Sequence, residues 1–382
     1  MNVPAFCRES RVLIVAGKGG VGKTTICAGL ARTAAEAGLS VLVVELEGKE
    51  GLARAFGDFG PLEYEEVTLL DATESDGVVR GRRITPDDAL LEYLADHGMK
   101  RFSKRLVSSG ALDVVATAIP GIRDILVLGK VKQLERGDPA DLILLDAPAT
   151  GHVMTFLSSA SGLLDAARSG PLRAQAQDVV ELLTDPDRCR VALVTLPEEM
   201  PVNEVVEAAY KLEDRVGVSL GPLIVNACLM EPPNLRRDAR EVVAEAAAHA
   251  EAGSGADVEA GAELSDELLS AITSGATFSI RRLDQQEEQL ARLAEELPLY
   301  ELRVPYVAGE EIGPDELEVI SGALRSGIQA LPRRAAGARV AGGSGGAART
   351  AGAAGASGGD GAAGASGGDG SGSQLPSTAG SS

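Results

Sequence analysis

The octet Gly17-Lys18-Gly19-Gly20-Val21-Gly22-Lys23-Thr24 is the stretch whose residue types and spacing point most directly to chemistry. It satisfies G-x-x-x-x-G-K-[ST], follows an apolar run and opens a helical one, which is the context this pattern needs to hold phosphate. Glycines let the backbone curl until successive N–H groups face one anion. A helix starting near Lys23 aims the positive end of its dipole at the same place. In such a cradle Lys23 reaches the β- and γ-phosphates and the Thr24 hydroxyl holds Mg²⁺. The expected binding set is Gly17, Lys18, Gly19, Gly20, Val21, Gly22, Lys23, Thr24 and Thr25, with ATP and Mg²⁺ as ligands. The cation also needs a carboxylate to take one of its waters. Asp146, closing the apolar run DLILLD, has the type and the place for that task.

These side chains need strand ends and a helix start to hold them. RVLIVAG (11–17), SVLVVEL (40–46), EVTLLDA (66–72), DLILLDA (141–147), CRVALVTL (189–196) and GPLIVNA (221–227) read as strands, with ELRVP (301–305) a weaker candidate. Most are apolar on both faces, as strands buried in a parallel sheet are. TTICAGLARTAAEAG (24–38) reads as a helix stopped by Gly38, and TPDDALLEYLADHG (85–98) as one with Thr85 at the N-cap and Pro86 in its first turn. MPVNEVVEAAYKLEDRVG (200–217) and PDELEVISGALRSGI (314–328) follow the same rule. The alternation predicts an α/β fold, a doubly wound, mostly parallel sheet of the P-loop NTPase kind with right-handed crossovers. Residues 100–135 and 152–186 are apolar and helical without strands, so helical insertions of about 85–135 and 152–186 should form a layer at one end of the sheet. Residues 1–332 are expected to make one domain, with a mobile loop at 251–264 and an Ala/Gly/Ser-rich, disordered tail at 333–382.

Lys18 sharpens the reading. A second lysine in K-G-G-x-G-K-[ST] resembles the deviant P-loop of dimeric ATPases that include nitrogenase iron protein, the Min/Par partition ATPases and the arsenite-pump ATPases. The sequence D-A-P-A-T-G-H (146–152) closely resembles the second switch, D-T-A-P-T-G-H, of the arsenite-pump (ArsA-type) and tail-anchored-protein-targeting ATPases. T-L-P-E-E-M-P-V-N-E (195–204) looks like bacterial ArsA-type proteins, and the likeness covers most of residues 11–330. The resemblance implies ATP hydrolysis at a dimer interface, with Lys18 reaching across to the other subunit's nucleotide. It implies a moving role for His152, an adenine-reading amide at Asn226 and an adenine border at Pro305. The partner is then an identical chain or a paralogous ArsA-like ATPase, and a membrane protein or other client is held or released. The pattern departs where the family has D-P-A-H: this chain reads Glu47-Gly48-Lys49-Glu50. Glu47 takes the slot of the water-positioning Asp, one methylene longer. Either Glu47 still activates water, or the chain binds ATP, hydrolyses it slowly and serves as a regulatory subunit. The catalytic set is Lys18, Lys23, Glu47 and Asp146.

Composition excludes several alternatives. The net charge of −20 disfavours nucleic acid as a main partner. No apolar run approaches the roughly 18 residues of a membrane span, and the first ten residues lack a signal-peptide core, so a cytoplasmic protein is expected. Cys7, Cys27, Cys189 and Cys228 are scattered, which argues for small core residues rather than a thiolate cluster or zinc clasp. The leucines at 283, 290 and 297 form a helical stripe suited to packing on the sheet or to a partner seam. The apolar stretch 111–131 reads as core or as a client groove.

Overall fold

The computed structural model describes residues 1–46, 51–57, 59–74, 76–96, 121–166, 168–245, 265–309 and 311–332. The expected loop at 251–264 and the tail at 333–382 lie outside them, as do His97 and His249. All described residues belong to one compact unit.

Strands with a continuous apolar run form the centre of the sheet because both of their faces are covered. They are β1 (Val12–Gly17), β2 (Val41–Leu46), β5 (Leu142–Ala149) and β6 (Cys189–Thr195), and each of the first six residues of these strands is buried. Flanking them are β3 (Val67–Leu70), β4 (Val79–Ile84), β7 (Ser219–Leu220), β8 (Leu223–Cys228) and β9 (Glu301–Pro305). The order is β3-β4-β2-β5-β1-β6-β8-β9, with β7 pairing β6. Every pair is parallel except β3 with β4. The fold is the α/β, doubly wound arrangement the sequence predicts. Strand β4 and the short β7 are additions to that reading. The sequence VRGRRI hides a strand because its arginines are matched locally: Arg80 lies 2.8 Å from Glu66, and Arg83 lies 3.6 Å from Glu45 on β2.

Helices cover both faces. On one face lie α1 (Val3–Cys7), α2 (Lys23–Ala35) and α9 (Pro314–Ala330), sharing a core with Leu13, Val15, Val43 and Leu144. Helix α2 ends in a turn at Gly38, whose φ of 81° is a glycine conformation. On the other face lie α3 (Pro86–Asp96), α4 (Ile122–Gly137), α5 (Thr150–Ala166), α6 (Pro171–Thr184), α7 (Glu199–Lys211) and α8 (Asp266–Glu296). Helices α4, α5 and α6 come from the two strand-free stretches, and they share a core with Ile14, Val44 and Leu145. Of the stretch 111–131, the described part packs in this core through Ile122, Ile125 and Leu128. Along α8, Leu283, Leu290 and, just past its end, Leu297 are buried, the last two in this core.

Candidate functional site

Strand β1 sits between β5 and β6, and the chain winds outward from it in both directions. The crevice at the carboxyl ends of such strands is where doubly wound sheets bind ligands. The loop after β1 is held there by close contacts. A Cβ on Gly17 would run into the Val194 carbonyl oxygen, and one on Gly22 would run into the Asn226 amide. Gly20 and Gly22 both adopt φ 84°, in the left-handed region that favours glycine. Asn226, near the end of β8, donates from Nδ2 to the Val21 carbonyl at 3.0 Å and so ties the loop to the sheet. Helix α2 begins at Lys23 with no side-chain cap on its first amides. Such an open, uncapped helix start suits an anion.

The charged groups converge on that start. Lys23 is 8% exposed, and its ammonium donates to the Lys18 carbonyl at 2.8 Å. Thr24 donates from Oγ1 to Asp146 Oδ2 at 2.7 Å, and Asp146 is fully buried. A hydroxyl and a carboxylate in contact beside a phosphate cradle form the oxygen donor set that Mg²⁺ takes, so the residues present fit that cation. Thr25 follows in the first turn of α2, beside Gly22. Lys18 pairs with Glu204 of α7 at 2.7 Å, within its own chain. His152 is exposed on α5. Glu47 lies outside the described residues.

A cavity of about 790 Å³ opens beside the loop, a size typical of small-molecule sites. Gly22, Asn226, Pro197, Arg282, Gln286 and Tyr306 are among its walls, so segments after β6, β8 and β9 and the long helix α8 all contribute. Pro305, expected beside the base, instead lines a separate hollow with Cys228 and Leu290, while Tyr306 faces the loop-side cavity. Successive residues of an extended segment face opposite sides, which accounts for the one-residue displacement.

Three contributors escaped the sequence reading. Gln286 is buried and clamps Leu229 twice, accepting from its N–H at 2.7 Å and donating to its carbonyl at 3.0 Å. Tyr306 is the second. The third is Glu45, 1% exposed on β2 and the register partner of Asp146. Burial pushes the Glu45 carboxyl above its ordinary range, nearby Asp146 adds to this, and Arg83 with the Leu52 amide opposes it. A glutamate inside V-L-V-V-E-L was the available signal. The four cysteines are buried thiols outside any disulfide, and burial pushes Cys7 and Cys189 up to about 12 and Cys228 to about 11. Among the described residues no group of His, Cys, Asp and Glu is arranged to hold a metal by itself, and no helix is long and apolar enough to cross a membrane.

Comparison with known proteins accords with this geometry. The family model described as anion-transporting ATPase matches residues 10–166, which contain the loop, Thr24, Glu45 and Asp146. ATPase BagA of Mycobacterium tuberculosis is 34% identical over 328 residues, covering 81% of this chain and 92% of that one. The chain belongs to the anion-transporting, ArsA-type ATPase family, and it is an ATPase at that family level. A putative arsenical pump-driving ATPase of Halobacterium salinarum is 30% identical over 242 residues, covering 58% of this chain and 36% of that one. ATPase get3 of Neurospora crassa is 30% identical over 158 residues, 41% of this chain and 44% of that one.

Proposed function

We propose that this ArsA-type chain is an ATP-driven dimeric switch of the cytoplasm, which couples nucleotide state to the holding and release of a client or membrane partner. The observation carrying most weight is the cluster at the start of α2, where Lys23 folds onto the loop and Thr24 meets buried Asp146 at 2.7 Å. Triphosphate lies along the loop amides from Gly17 to Thr25, and Lys23 leaves the Lys18 carbonyl to meet the β- and γ-phosphates. The base lies in the adjoining cavity near Asn226. Mg²⁺, held by Thr24 with Asp146 on one of its waters, would draw charge from the phosphates. A water oxygen bonds to the γ-phosphorus, the bond to the β–γ bridging oxygen breaks, and Glu47 takes the water's proton. ADP and phosphate leave.

Lys18 acts across the dimer in this reading, so its Glu204 contact is the resting arrangement. Glu47 in the water-positioning slot supports a second reading, in which the chain hydrolyses ATP poorly and supplies Lys18 to a paralogous ATPase. A misplacement of about 1 Å can cost on the order of 100-fold in rate. Turnover and sedimentation of the purified chain with ATP separate the two. Robust turnover with ATP-dependent self-association, both reduced in Lys18→Ala, supports the switch. Negligible turnover together with co-purification of a related ATPase supports the regulatory subunit. Retention of full turnover in Glu47→Gln removes Glu47 from the mechanism.

A further inference from the structure

Glu45 belongs to the site for a reason of its own. Its register partners are Asp146 on β5 and Arg83 on β4. Val43 and Leu144, two residues earlier on the same strands, pack in the core shared with α2, so Glu45 and Asp146 face α2 as well. In-register neighbours on adjacent strands lie about 5 Å apart. Thr24, Asp146, Glu45 and Arg83 thus form one row beneath the start of α2. Asp146 is fully buried, Glu45 is 1% exposed, and Arg83 stands 3.6 Å from Glu45 Oε2. Glu45 Oε1 is buried and makes no hydrogen bond.

A buried carboxylate oxygen without a donor calls for a water or an ion beside it. Mg²⁺ gives up its waters reluctantly and keeps several when it binds a nucleotide, and each retained water carries protons that need acceptors. We propose that Glu45 is a second carboxylate of the cation site, accepting a hydrogen bond from a water of the Mg²⁺ that Thr24 and Asp146 hold. The inference rests on the ATP–Mg²⁺ reading of the loop and adds to it a residue that sets cation affinity rather than nucleotide affinity.

The test separates the two affinities. A fluorescent ADP analogue is bound to the full chain in EDTA, and Mg²⁺ is then titrated back. In Glu45→Gln the EDTA affinity should match the parent, while the Mg²⁺ concentration giving half of the response should rise on the order of tenfold or more, the range seen when partners of metal ligands are removed. Glu45→Asp, which keeps the charge but withdraws it by one methylene, should fall between parent and Gln. It also serves as the readout should Glu45→Gln not fold. An unshifted Mg²⁺ midpoint in both variants overturns the proposal and leaves Glu45 as the structural partner of Arg83. Failure of the parent to bind the analogue even with Mg²⁺ overturns the ATP reading itself, and this proposal with it.

Discussion

Gly22→Ala tests the loop geometry most quantitatively. The native φ of 84° is a left-handed conformation, which costs an L-residue about 1–2 kcal/mol. The added Cβ would also run into the Asn226 amide, whose 3.0 Å bond to the Val21 carbonyl must then break. Loss of that bond adds about 1 kcal/mol. The loop either bears the strain or relaxes out of its anion-binding shape, and both weaken ATP–Mg²⁺. A combined cost of about 2–3 kcal/mol corresponds to roughly a 30- to 150-fold rise in Kd, measured by calorimetric titration. The double variant Gly22→Ala/Asn226→Ala supplies the control. With the amide gone the clash is gone, so Gly22→Ala should cost about 1 kcal/mol less in that background. Binding by Gly22→Ala within twofold of the parent would refute the reasoning, as would strictly additive costs in the cycle.

Three further outcomes follow from the packing. Gln286→Leu strands a half-buried N–H and carbonyl of Leu229, so it should lower stability by about 1–3 kcal/mol in urea unfolding and weaken ATP through the cavity wall. Asp141 accepts from the Ser40 amide at 2.9 Å and its hydroxyl at 2.7 Å, and these bonds hold its carboxyl below the usual range. A lowered folded value means stability that is complete above the unfolded value of about 3.9 and lost as pH falls through the folded one. The urea midpoint of the parent should therefore exceed that of Asp141→Asn at pH 6, and the gap should close below about pH 4. The buried thiols of Cys7, Cys27, Cys189 and Cys228 should resist a thiol reagent in the folded chain and all react once it is unfolded, as counted by absorbance.

The central strands were legible because burial on both faces writes itself as uninterrupted apolar residues, as in VLIVAG and LILLDA. Strand β4 was not, since three arginines in VRGRRI read as surface until the facing Glu45 and Glu66 are known. Those partners sit on β2 and just before β3, outside the strand's own sequence. Helix α8 was legible only over its buried half, where the stripe 283, 290 and 297 shows period. Its first turns, from Asp266 with Ser265 as N-cap, are largely exposed and carry no such pattern. The cradle was readable residue by residue, because the loop is local and its chemistry depends on fixed spacing. The walls of the adjoining cavity were not, because Gln286 and Tyr306 reach it from separate elements brought together by the sheet. Asn226 stands where a base-reading amide is expected, yet its donor holds Val21, a tie that no spacing in the sequence discloses.

Binding of ATP–Mg²⁺ to Lys23→Ala, set beside the parent by calorimetric titration, addresses the central claim most directly. The account predicts that the variant stays folded and loses affinity on the order of 100-fold, since Lys23 is the cation this reading places on the β- and γ-phosphates. Affinity equal to the parent's would contradict it.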